Sequence, residues 1–449
     1  MIISHSMAAI PKSLGWENFI QRDLVLQTED SVEIYYEETP THWIVPRYYP
    51  EFIKKRYGLN VDIEYLTVDA QEIDFECYIE PRDEDQKYAI EFLAKPMQRF
   101  GILRARPGFG KTICAIKAIH LMKTKTLIVV HKEKLAQQWI DRIVEFTDIK
   151  REEIPLFAGH LNEKQLKNMK IGLAIIHTLS NRYCSRKLEY HKLMKEAGIG
   201  CVIFDECHMT IPTHKFFRGQ GLLYANKYLG LSATPFREND IKTNVIYYNL
   251  SDNVFDIGDY DLKPKAYEVY FSSNIPEKTK RWITWGNKFI LQRYLKQVQK
   301  DPTYVNLVLN LIMEALKGDR NVLVLAPRKD LLQTLGKLLE QKYSVNDIGY
   351  FWSGQPEEEL NHKVVFATSQ IFTEGIDVPR LDTLIVLDQF ADKAKLEQMI
   401  GRILRKHVHK KEPKVVFLVD REFQLQHFLS IKRRNFYNSI GFEYEIINI

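Results

Sequence analysis

The sequence predicts an α/β protein: two doubly wound parallel-sheet domains in tandem, preceded by a small α+β domain at the N-terminus. Three observations predict it. Short β-branched runs alternate with helical patterns along most of the 449 residues. These runs fall into two series separated by a stretch that lacks them. A glycine-rich turn, ARPGFGKT (105–112), precedes an apolar helical run in the first series alone.

A chain of this length exceeds one ordinary core, so two domains and an appendage are expected. Hydrophobic residues make up 45% and charged residues 27%, the balance of a soluble globular protein. The net charge is +5, yet residues 1–80 hold 15 acidic against 6 basic side chains. The positive charge therefore belongs to the part that carries the glycine turn. The five cysteines show no C-x-x-C pair and no ligand spacing with histidine, which predicts free thiols in a reducing compartment. No apolar segment approaches the ~18 residues that span a bilayer, and the N-terminus lacks a signal-peptide pattern. A cytoplasmic chain without a membrane partner is expected.

Residues 1–80 read as the acidic accessory domain, with strand-like SVEIYYEE (31–38) and HWIVPRYY (42–49) on either side of the turn TPT. The first of the two parallel-sheet domains, 81–250, contains TLIVVH (126–131), GLAIIH (172–177), CVIFDE (201–206) and YLGLSAT (228–234). Continuous apolar strands of this kind are expected in a parallel sheet covered on both faces. Residues 251–315, which include KTKRWITWGNKFILQRYLKQVQK (278–300), read as a linker and helical entry. The second domain, 316–449, contains NVLVLAP (321–327), IGYFWSG (348–354), KVVFAT (363–368), TLIVLD (383–388) and KVVFLVD (414–420). The helical pattern KDLLQTLGKLLEQKY (329–343) lies among them.

In ARPGFGKT, Gly108 and Gly110 stand where a backbone turns tightly and aims several N–H groups at one anion. Pro107 and Phe109 complete the loop, Lys111 reaches toward the β- and γ-phosphates, and the Thr112 hydroxyl ligates Mg2+. The helix that follows adds its positive N-terminal end. Such a cradle predicts ATP and Mg2+. Asp205 and Glu206 end the run CVIF; the first carboxylate suits the metal and the second suits an attacking water. Ser232-Ala233-Thr234 end another run before Pro235, where hydroxyls can relay toward the neighbouring domain, although a plain turn into the proline accounts for them as simply. In QMIGRILR, a helix beginning at Gln398 would set Arg402 and Arg405 on one face, aimed at a phosphate chain. A basic surface helix is the plainer alternative, because Lys406 and His407 continue the charge.

In order along the chain, ARPGFGKT, FDECH, LSATP, FTEGIDVP and QMIGRILRK resemble motifs I, II, III, V and VI of the superfamily 2 helicases. The resemblance spans roughly residues 80–420. It implies two RecA-like domains that close on ATP, with Arg402 and Arg405 acting on the γ-phosphate from the second. PRDEDQKYAIEFL (81–93) resembles the adenine-side Q motif, which implies Arg82 and Gln86 as base readers. TEGID implies Gly375 and Asp377 at the nucleotide, while DECH, LSATP and QMIGRILRK imply His208, Ser232, Thr234 and Gln398 as coupling residues. TLIVVHKEKLAQQW resembles motif Ia and IHTLSN motif Ic, which face the nucleic-acid backbone. The wording VVHKEKLAQQW and GRILRKH, with the N-terminal IYYEETPTHWIVPRYYPEFIKKRYG, resembles the branch of XPB-type, UvsW-type phage and poxvirus A18-like helicases. MTIPT after DECH and FREND after LSATP depart from the usual continuations, at positions that adjoin the domain interface.

This branch implies a motor on DNA, single-stranded and branched duplex, active as a monomer and, if phage-encoded, in the host cytoplasm. Branch migration, fork regression and D-loop or Holliday-junction unwinding follow from the resemblance. An RNA-directed or transcript-release ATPase is the alternative. His131, Lys132, Thr178 and Thr368 stand near strand ends and are candidate contacts to the phosphodiester backbone. Trp282, among basic residues, is a candidate to stack on a base, against the plainer reading that this segment's aromatics pack on the second domain.

Overall fold

In the computed structural model the residues described are 2–27, 31–185, 187–212, 214–233, 242–257, 263–285, 288–372, 380–404 and 410–449. The chain divides into two compact units, Met1–Gly258 and Asp259–Ile449. The first is built on seven parallel strands in the spatial order Leu156–Phe157, Ile171–Ile175, Thr126–Val130, Cys201–Asp205, Lys227–Ser232, Phe100–Ala105 and Val254–Ile257. Successive side chains on a strand point to opposite faces. Leu127, Val129, Val202 and Phe204 therefore enter one core, and Ile128, Val130, Ile203 and Leu231 enter the other. Burial on both sides explains why these runs are apolar without interruption. The strand Phe100–Ala105 is not among the runs that β-branching picks out. Its sequence FGILRA has one β-branched residue and carries Arg104, which pairs with Asp256 at 2.8 Å.

One face of this sheet is covered by the N-terminal lobe. Its five strands run in the order Glu37–Glu38, His42–Val45, Ala8–Pro11, Ile2–Ser4 and Ile63–Tyr65, with the last pair parallel and the others antiparallel. Ile2, Ile10, Trp43 and Val45 share a single core with Phe100, Phe204 and Tyr228. The lobe is thus continuous with the first parallel sheet and is not a separate piece. The expected boundary at residue 80 also moves. The last strand of the lobe ends at Tyr65, whereas Ile73, Phe75 and Ile79 are buried in the core on the other face of the parallel sheet.

The second unit repeats the plan with seven parallel strands: Ile348–Phe351, Val364–Thr368, Val322–Ala326, Thr383–Val386, Lys414–Asp420, Lys265–Phe271 and Tyr444–Asn448. Residues 251–315 are consequently not a linker. Val254–Ile257 closes the first sheet, Lys265–Phe271 lies inside the second, and the helix Pro302–Lys317 buries Tyr304, Val308 and Ile312. The strand Lys265–Phe271 escapes an apolar pattern because Glu268 sits at its centre. That carboxylate is fully buried and accepts two bonds from the fully buried Arg433, at 2.8 and 2.6 Å, and one from Tyr437 at 3.2 Å. The paired charge fixes the helix Gln424–Ser439 to the sheet. Among the described residues no helix is long and apolar enough to cross a membrane.

Candidate nucleotide site

The strand Phe100–Ala105 delivers the loop 106–110 to the start of the helix Lys111–Met122. Gly108 has φ 81° and Gly110 φ 98°, values that only glycine adopts freely. A Cβ on Gly110 would come within 2.8 Å of Gln86 Nε2. The Phe109 ring is buried and anchors the loop, while its carbonyl accepts from Gln86 Nε2 at 2.7 Å. Gln86 lies on the helix Glu84–Ala94, and its Oε1 accepts from the Arg82 N–H at 2.9 Å. Main-chain groups thus engage both ends of the Gln86 amide, tying the start of this helix to the phosphate loop. The Arg82 side chain is half-exposed and paired with Asp83. Lys111 Nζ donates to the carbonyls of Ala105 at 2.8 Å and Arg106 at 3.4 Å, inside the loop. Thr112 follows in the first helical turn.

Two strands away, Asp205 ends Cys201–Asp205. In register Asp205 faces Leu231, which faces Leu103, so the carboxylate and the loop share one edge of the sheet, about 10 Å apart across the strands. Asp205 is buried. Its Oδ1 accepts from the Glu206 N–H at 3.0 Å and its Oδ2 from the Trp139 indole N–H at 2.7 Å. Burial first, then the charge of Glu206, push its pKa above the ordinary carboxylate range, against the pull of the Trp139 bond and the Lys111 ammonium. Glu206 has φ 45°, a left-handed conformation unusual for a side-chain-bearing residue, and opens the short helix Cys207–Thr210. His208 Nδ1 lies 3.4 Å from Glu206 Oε2 and 2.8 Å from Ser232 Oγ. The structure thus brings Glu206, His208 and Ser232 together in one chain of contacts.

Gly108 and Gly110 hold positive φ in this loop, and a Cβ on Gly110 would run into Gln86. The Asp205 carboxylate and the Thr112 hydroxyl are hard oxygen donors of the kind Mg2+ takes. The residues present fit a triphosphate and its metal.

The other expected residues are placed as follows. His131 follows the strand Thr126–Val130, and burial, Lys132, His208 and His177 hold its pKa down to about 4. Its buried Nδ1 has no hydrogen-bond partner among the described residues. Lys132 caps the helix Glu133–Phe146 in extended conformation. Thr178 is buried, and its hydroxyl accepts from the Gly159 N–H at 2.6 Å, so that it holds a loop of the protein instead of facing outward. Thr368 ends a strand of the second unit and is buried.

Gln398 and Arg402 lie on the helix Lys393–Arg402, their side chains outside the described set. This helix starts at the Asp392 cap, which accepts from the Lys395 N–H at 2.9 Å, and it ends at Arg402. The segment around Gly401 therefore closes a helix, correcting the expectation that one begins at Gln398. Thr234, Gly375, Asp377 and Arg405 lie outside the described residues. Trp282, on the helix Glu277–Ile283, is 42% exposed, with the Arg293 guanidinium 4.8 Å from its ring. Phe289 and Tyr294 in the same segment pack on Phe423.

One residue that touches the site is missed by its motif. Trp139 belongs to KLAQQW, which the resemblance turns toward nucleic acid, yet its indole reaches Asp205 from within the core. A signal was available. Ala136, Trp139, Ile140 and Ile143 form the buried stripe of an amphipathic helix, and a buried indole N–H requires an acceptor.

By fold this chain pairs two seven-stranded parallel sheets, with a glycine loop and a buried carboxylate at one edge of the first. Comparison with known proteins names the class. Residues 78–237 match the family "Type III restriction enzyme, res subunit", and residues 304–407 match "Helicase conserved C-terminal domain". The chain belongs to the superfamily 2 helicases. It is 26% identical over 338 residues to "Putative ATP-dependent RNA helicase L396" of Acanthamoeba polyphaga mimivirus, covering 71% of this chain and 60% of that protein. It is 26% identical over 396 residues to "DNA 3'-5' translocase XPB2" of Sulfurisphaera tokodaii, covering 78% and 85%. It is 26% identical over 347 residues to "Transcript termination protein A18" of Yaba monkey tumor virus, covering 72% and 68%. Among solved structures, S. cerevisiae Dbp5 bound to RNA and ADP BeF3 superposes with TM-score 0.53 at 15% identity, over 82% of this chain and 89% of that one. The Pyrococcus furiosus Hef helicase domain does so with TM-score 0.51 at 13% identity, over 77% and 97%. These two likenesses show the fold.

Proposed function

We propose that this protein is an ATP-driven motor that translocates on DNA and remodels branched duplexes. The observation that carries the ATP step is the shared sheet edge: the glycine cradle with Lys111 at one strand end, and Asp205 followed by Glu206 two strands away. The Lys111 ammonium, which now bonds two loop carbonyls, is placed to exchange them for phosphate oxygens. Asp205 and Thr112 would hold the cation, which would neutralise phosphate charge. Glu206 orients the water, and the contact from Glu206 through His208 to Ser232 carries its state to the next strand end. Similarity to a protein named as a DNA 3'-5' translocase, across most of both chains, supports DNA as the track. The names of the A18 and L396 relatives favour a second reading, an RNA-directed or transcript-release ATPase.

The test compares ATP turnover with no nucleic acid, single-stranded RNA, linear duplex DNA and a synthetic four-way junction, for wild type and Lys111→Ala. The expected result is strongest stimulation by the junction and no turnover in Lys111→Ala, which retains DNA binding. Stimulation by RNA alone would replace the DNA reading with the transcript reading. Turnover by Lys111→Ala would overturn the assignment of the site.

A further inference from the structure

We infer that Trp139 is a positioning residue for the divalent cation, acting through Asp205; the inference rests on the nucleotide reading above. Asp205 has two oxygens, and each already receives one N–H: Oδ1 from the Glu206 backbone and Oδ2 from the indole. Two donors on different oxygens fix the plane of a carboxylate, leaving each oxygen a remaining lone pair for another ligand. The backbone donor follows from chain geometry at the strand end. The indole donor comes from 66 positions away, on a helix held by its own buried stripe. At 2% exposure Trp139 has no water to exchange for this 2.7 Å bond. Without the indole, Oδ2 loses its only protein donor among the described residues, and the carboxylate is free to rotate in a buried site. Trp139 thereby trades a possible outward role in its motif for orienting the metal ligand from behind.

The experiment measures ADP binding by calorimetry as a function of Mg2+ for the full chain and for Trp139→Phe, which keeps an aromatic ring and loses the N–H. ADP affinity without Mg2+ is expected to stay within about twofold, while the Mg2+ concentration for half-maximal tightening rises about tenfold or more. The Mg2+ requirement of ATP turnover should rise in parallel, with a smaller change at saturating Mg2+. Trp139→benzothienylalanine retains the bicyclic shape without the N–H, and it should reproduce the shift. It also carries the test if the phenylalanine variant does not fold. An unchanged Mg2+ requirement in the analogue overturns this inference alone. Wild-type protein that binds no ADP at any Mg2+ concentration overturns the nucleotide reading and this inference with it.

Discussion

The guanidinium of Arg47 lies 3.9 Å from the ring centroid of Tyr228, fully buried where the N-terminal lobe meets the first motor sheet. Its Nη2 donates to the Gln220 carbonyl at 3.0 Å, and among the described residues it has no carboxylate partner. Burial pulls its pKa down to about 10, so it stays charged at neutral pH. A desolvated cation of this kind depends on the flat ring beneath it. Arg47→Lys replaces a plane by a compact ammonium and is expected to destabilise by about 2 kcal/mol or more, whereas Arg47→Met removes the charge and should cost less. Urea denaturation midpoints of the three proteins check the order; a lysine variant as stable as wild type would remove stacking as the explanation.

Gln86 joins the Arg82 N–H to the Phe109 carbonyl. Gln86→Glu cannot donate to that carbonyl and places a negative charge beside the phosphate loop. ATP binding should weaken by about ten- to a hundredfold, corresponding to one lost buried hydrogen bond of ~1–3 kcal/mol. Gly110→Ala should do at least as much damage, because its Cβ meets Gln86 and its φ of 98° disfavours any side chain. Fluorescent-nucleotide titration measures both. Unaltered affinity in Gln86→Glu would separate the bridge from the site.

Glu206→Gln preserves shape and the backbone turn while abolishing the charge proposed to orient water. Turnover should fall by about 10²–10⁴ with nucleotide binding retained. Single-turnover kinetics alongside equilibrium binding distinguish the two; equal losses in both would move the role of Glu206 from chemistry to binding.

His131 and His5 both have pKa values near 4 in the folded protein, against an ordinary 6.5. Burial dominates in each, aided by Lys132, His208 and His177 around His131, and by Lys195 and Arg47 around His5. Between these values the unfolded chain binds more protons than the folded one. Stability is thus complete above about pH 6.5 and declines as the pH falls toward 4. Each histidine should contribute on the order of 1 kcal/mol to that decline after allowance for solvent screening. His131→Gln should flatten the acid limb of stability against pH, and a slope identical to wild type would assign the titration elsewhere.

The motifs and the folded site agree where the information is local. Strands at 126, 171, 201, 227, 322, 364, 383 and 414 are legible because burial on both faces demands unbroken apolar runs. The strand Lys265–Phe271 was illegible, because Glu268 interrupts its pattern and the compensating Arg433 lies 165 positions away. Thr178 shows the converse. Its motif is readable, but only the fold reveals that its hydroxyl is held by Gly159.

By itself, then, the chain's order of residues determined two parallel sheets, the phosphate turn and the carboxylate pair, since each is dictated by backbone conformation or face burial over a few neighbouring positions. Tertiary structure alone decided that the N-terminal lobe shares the motor's core, that Gln86 braces the loop, and that Trp139 grips Asp205. Those relations join groups 23 to 66 or more positions apart, and they are settled by which buried donor finds which buried acceptor once the sheets have packed.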